Sequence, residues 1–150
     1  MEKNVVKNIL ADTDLRQNLI KLKGSMTSTD TLEGPIVEKL CDCLTHEDPK
    51  VRKNAALLLG YTKNPLMASV LLNAYKNEEK DFVKDAYLKG MSRYDCKPYI
   101  KELQEIQNEL MNSEVVDSKH IKAQLKVLNP MIRSYSYHKK KSIRLLHKEV

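Results

Sequence analysis

Between residues 47 and 60 the chain reads EDPKVRKNAALLLG, and Val51, Ala55, Leu58 and Leu59, with Thr62 beyond, recur at helical spacing. Asp48-Pro49 predicts the start of that helix. Asp caps free N–H groups, and Pro is tolerated in the first turn, where its missing N–H has no partner to lose. Ala55 and Ala56 are small enough to let a neighbouring helix come close, and Gly60 stands where a left-handed residue commonly ends a helix. A second helix is predicted from Pro65 over PLMASVLLNAYKN. The short link between the two implies antiparallel neighbours.

The pattern recurs. DTDLRQNLIKLKG (12–24) aligns with DPKVRKNAALLLG (48–60): Asp12 with Asp48, Arg16 with Arg52, Asn18 with Asn54, Leu22 with Leu58 and Gly24 with Gly60. A weaker copy, EKDFVKDAYLKG (79–90), puts Glu79 in the acid's place, Phe82 in the place of Val51 and Ala86 in that of Ala55, and closes on Gly90. The weakest, DSKHIKAQLKVLN (117–129), keeps Asp117 and Leu128 and ends on Asn129. Each copy follows another helical segment, roughly 3–11, 35–45, 65–77 and 98–111. About four helix pairs at this period predict an all-α chain of stacked repeats over 1–129. GSMTSTDTLEG (24–34) reads as a surface loop.

Asp48, Val51-Arg52, Ala55-Ala56 and Leu59-Gly60 resemble the second helix of a HEAT repeat. The resemblance implies a right-handed superhelix of helix pairs whose second helices line a concave face. It also implies hydrogen bonds between the Asp and Arg of neighbouring repeats, here Asp12, Asp48, Arg16 and Arg52. Val83 stands where the third arginine belongs, so that ladder is expected to stop early. The motif residues Asp12, Arg16, Gly24, Asp48, Val51, Arg52, Ala55, Ala56, Gly60, Ala86 and Gly90 specify a scaffold rather than a chemistry.

Charge changes the picture at one end. The formal charge is +6, yet residues 1–130 hold 20 Lys/Arg against 19 Asp/Glu. The excess sits in 131–150, where Arg133, Lys139, Lys140, Lys141, Arg144 and Lys148 face Glu149 alone. Asn129-Pro130 is expected to end the last helix, and Met131–Tyr137 alternates like a strand. Residues 130–150 thus read as a basic extension, strand-like or a connector to a further domain. Tyrosines among cations suit contact with RNA or another nucleic acid, and equally with an acidic protein. On the second helices Lys50, Lys53, Asn54, Lys80, Lys84, Lys119 and Lys122 are expected to face outward as a mildly basic stripe, interrupted by Asp81 and Asp85 on a solvated face.

Signals of catalysis are missing. There is no Gly-rich phosphate loop, no Gly-x-Ser-x-Gly and no His-Glu-x-x-His. Cys41 and Cys43, two apart on a predicted helix, point to different sides, so one is expected inside and one near the surface, with no metal and no cofactor. No apolar run approaches the ~20 residues of a membrane span. Three cysteines and a start without a secretory pattern fit a reducing cytoplasm. The expected function is a non-catalytic interaction scaffold that docks a protein or RNA, the basic tail aiding contact and Lys53 and Lys84 contributing from the helices. Two enzyme readings compete by resemblance. HEAT-like modules precede some bacterial RNA methyltransferase domains. The HEAT-like alkylpurine DNA glycosylases use a cationic groove walled by aromatics, typically Trp, with a catalytic Asp; this chain has no Trp and no matching Asp motif.

Overall fold

A computed structural model describes residues 3–113 and 118–148, with side chains over 4–113 and 118–135. The described residues divide into two compact units, 1–94 and 95–150.

The first unit is three helix pairs: α1 (Lys3–Leu10) with α2 (Leu15–Ser25), α3 (Pro35–Cys43) with α4 (Pro49–Leu58), and α5 (Leu66–Asn77) with α6 (Asp81–Met91). The second helices form one continuous layer, α2 against α4 and α4 against α6, while α1 packs on α3 behind it. The core runs between the layers. Ile9, Leu19, Leu22, Leu40, Leu58 and Leu71 are at most 1% exposed, and each such side chain stabilises by roughly 1.5–3 kcal/mol through burial.

The helix starts follow local chemistry. The Asp48 carboxylate accepts the Lys50 amide at 2.9 Å, with Pro49 in the first turn of α4. The α1–α2 link is tighter. Asp12 (φ 59°) and Asp14 (φ 42°) are both left-handed, a conformation that Asp tolerates. Asp14, not Asp12, therefore stands at the start of α2, and Asp12 turns away to pair with Lys39 at 2.5 Å. The 24–34 loop is held by Leu32, which is buried and whose amide donates to the Tyr61 carbonyl at 2.7 Å.

Glycine acts differently from expectation. Gly34 is the only glycine with positive φ among the described residues. Gly60 lies in a short 3-10 turn, Leu59–Tyr61, while Gly24 and Gly90 are inside α2 and α6. What Gly90 supplies is closeness: a Cβ there would lie 2.6 Å from the Ala56 carbonyl oxygen and 2.9 Å from Leu71 Cδ1. A Cβ on Gly60 would meet Gly90 at 3.3 Å. The glycines set how closely α4 and α6 approach rather than where helices end.

The second unit is a 3-10 turn (Lys97–Tyr99), α7 (Ile100–Met111) and α8 (Lys119–Lys148), with α7 packed on α8. The strand expected over Met131–Tyr137 is helix instead, and α8 passes through Pro130. The reason lies in spacing. Ile121, Gln124, Leu128 and Ile132 are all buried, a helical stripe that crosses the proline without a break. Gln107 Nε2 also donates to Asn129 Oδ1 at 2.8 Å, fixing α8 to α7 just before the proline. Pro130 still removes one helical donor and crowds the preceding turn, so it favours a kink over an end.

Candidate interaction surface

The near-neutrality of residues 1–94 hides a separation of charge. The α2–α4–α6 layer carries Arg16, Lys21 and Lys23, then Lys50, Arg52 and Lys53, then Lys84 and Lys89, against only Asp81 and Asp85. Acids gather instead in the connections, among them Asp12, Asp14, Glu33, Glu47, Glu78 and Glu79.

Some of these cations serve the stack. Arg16 reaches Asp48 of the next pair at 3.9 Å. Arg52 reaches the third pair, with Nε to Glu78 Oε1 at 2.8 Å and Nη2 to Oε2 at 3.0 Å, and its Nη1 donates to the His46 and Glu47 carbonyls. The ladder thus runs Arg16–Asp48 and Arg52–Glu78. Its last acid is Glu78, one residue before the aligned Glu79, and Asp12 takes no part. The Tyr87 hydroxyl, from a fully buried ring, also donates to Glu78 at 3.0 Å. Burial alone would raise the Glu78 pKa, but Arg52, the Lys80 amide and Tyr87 together hold it below the ordinary glutamate value. Burial and the nearby carboxylate push the Tyr87 phenol well above its usual range.

Asn18 and Asn54, aligned in sequence, are both buried and not outward-facing. Each turns its amide back on its own helix start, Asn18 to the Thr13 and Asp14 carbonyls and Asn54 to the Lys50 carbonyl. Asn54 Oδ1 in turn accepts the Lys23 ammonium at 3.1 Å, joining α2 to α4. Asp85 is also turned in. Its side chain is 18% exposed and pairs with Lys89 at 3.3 Å, so it interrupts the basic layer less than its charge suggests.

At the C-terminal turns of the three helices lies a groove of about 250 Å³ lined by Lys23, Leu57, Tyr61, Lys89, Ser92 and Arg93. Arg93 is the most constrained of these. Its guanidinium lies 4.0 Å above the Tyr61 ring, and its Nε donates to the Gly60 carbonyl at 2.9 Å. Burial, then the neighbouring Lys53 and Lys89, hold the Lys23 ammonium below its ordinary pKa. The groove therefore concentrates positive charge.

Of the residues singled out from sequence, Val51, Ala55, Ala56 and Ala86 are core, and Lys53 joins the cationic group beside Lys23. Lys84 points elsewhere, its ammonium 5.6 Å from the Tyr75 ring centre. Arg133 is exposed on α8, and the side chains of Lys139, Lys140, Lys141 and Arg144 lie outside the described residues. Lys23, Tyr61, Lys89 and Arg93 were not legible as a group. Lys23 occupies the repeat position of buried Leu59, and Arg93 lies beyond the motif, three residues after Gly90.

Cys41 is half-buried and Cys43 buried, both raised in pKa chiefly by burial, and burial pushes the Cys96 thiol up to about 11. Among the described residues no three His, Cys, Asp or Glu side chains converge as metal ligands. No helix there is long and apolar enough to cross a membrane.

No curated protein and no solved structure gives a significant match. The family model for HEAT repeats matches residues 4–92, the three stacked pairs, and with the Arg–acid ladder between those pairs the chain belongs to the HEAT-repeat family.

Proposed function

We propose that the chain is a non-catalytic interaction scaffold that docks an acidic partner, protein or RNA, on the α2–α4–α6 layer. The separation of charge carries this reading: cations on the layer, acids in the connections. Arg16 and Arg52 are taken up in the stack, while Lys21, Lys50 and Lys53 have no ion-pair partner among the described residues. Such a layer attracts an anionic surface over a Debye length, about 8 Å at physiological salt. The basic C-terminal sequence adds to that attraction.

The test is retention on an immobilised polyanion such as heparin across a salt gradient. Wild type is expected to elute at higher salt than a Lys50→Glu, Lys53→Glu variant of equal melting temperature. Equal elution of the two would rule out the layer as the docking surface.

A further inference from the structure

We infer that the groove at the C-terminal turns of α2, α4 and α6 holds backbone phosphates of a nucleic acid, contacted by Arg93, Lys23 and Lys89 with Lys53 alongside. This rests on the layer being a docking surface and names what it docks.

Three observations favour phosphate. First, Arg93 is fixed before any ligand arrives. Its plane lies on Tyr61 and its Nε on the Gly60 carbonyl, which leaves the two terminal nitrogens to bind. A guanidinium held in that way matches the paired oxygens of a phosphate and loses little freedom on binding. Second, the cations outnumber the acids there: Lys23, Lys53, Lys89 and Arg93 meet only Asp85, which is paired with Lys89. A single carboxylate leaves most of that charge unbalanced, whereas successive phosphates along a strand match it. Third, the groove lacks what a protein partner uses. Protein interface cores are depleted in Lys and built on aromatic anchors. Here Leu57 is the one aliphatic side chain in the lining, and the ring of Tyr61 is covered by Arg93. The covered ring also offers no stacking platform on that side, so contact falls on the backbone and is indifferent to base sequence.

The experiment is fluorescence anisotropy of the full chain with two labelled probes, a short RNA duplex and an oligoglutamate peptide, over a salt series. Three proteins are compared: wild type, Lys23→Gln/Lys89→Gln/Arg93→Gln, and Lys50→Gln/Lys53→Gln. The last changes side chains without ion-pair partners among the described residues, so it tests the surface even if the first folds poorly. The expected result is that wild type binds the duplex and both variants bind it about tenfold more weakly or worse. The slope of log affinity against log salt should fall by about 0.9 for each phosphate no longer neutralised. Duplex sequence should not matter. Preferential binding of oligoglutamate, weakened by the same substitutions, overturns the phosphate assignment and leaves the scaffold standing. Weakening by Lys50→Gln/Lys53→Gln alone, with the groove variant folded and binding the duplex like wild type, overturns the groove assignment, since Lys50 lies in the first turn of α4. If neither substitution weakens either probe, both readings fall.

Discussion

Arg52 holds both carboxylate oxygens of Glu78 through two hydrogen bonds, 2.8 and 3.0 Å long, from the second helix pair to the third. The Glu78 side chain is only 4% exposed. Removing one partner of such a pair leaves a charge with little water to solvate it. Arg52→Ala is expected to cost about 3 kcal/mol in urea unfolding at neutral pH. A loss within the range of an exposed ion pair, below about 1 kcal/mol, would deny the pair its role in the stack.

The same carboxylate predicts a pH dependence. Its folded pKa lies below the ordinary value of 4.5. The stabilisation is therefore fully present above about pH 4.5 and is lost as pH falls through the lower folded value. In Arg52→Ala the buried Glu78 protonates more readily and relieves its own penalty. The stability gap between wild type and variant should narrow as pH drops below that value, read from urea midpoints across the acid range. A constant gap would contradict the assignment.

Two glycines should respond in opposite directions to alanine. Gly90→Ala drives a methyl against the Ala56 carbonyl and Leu71, and overpacking of this kind costs about 2 kcal/mol. Gly24 lies in α2, and a Cβ there would have nothing within 4 Å, so Gly24→Ala should stabilise by about 0.5–1 kcal/mol through helix propensity and a less flexible unfolded chain. Thermal unfolding of the two single variants decides the matter. A gain from Gly90→Ala would contradict the close approach of α4 and α6, and a loss from Gly24→Ala would contradict the open space at that position.

Pro130 inside α8 predicts that Pro130→Ala strengthens the helix, by up to about 3 kcal/mol if no packing is lost. Circular dichroism at the helical minimum should hold or deepen, and resistance to proteolysis around residue 130 should rise. A strand-like tail would show no such gain.

Much of the stack was legible because its determinants are local. Asp48-Pro49 caps, Val51 and Leu58 keep the apolar face, and a period set by pair size repeats in the sequence. What stayed hidden depends on neighbours. Gly60 looks like a terminator until α6 is seen beside it. Asn54 looks like a surface residue until Lys23 and the Lys50 carbonyl satisfy it. The tail misled because a proline and a short alternation outweighed the longer stripe of Ile121, Gln124, Leu128 and Ile132. The groove was illegible for the same reason: Lys23, Tyr61, Lys89 and Arg93 come from three helix pairs and share no motif.

The most direct test of the docking surface is amide chemical-shift mapping of the full chain titrated with a short RNA duplex. The largest shifts are expected at the C-terminal turns of α2, α4 and α6, around Lys23, Leu57, Tyr61, Lys89 and Arg93, and added salt should reverse them. Shifts confined to residues 130–150, or to α1, α3 and α5, would contradict that assignment.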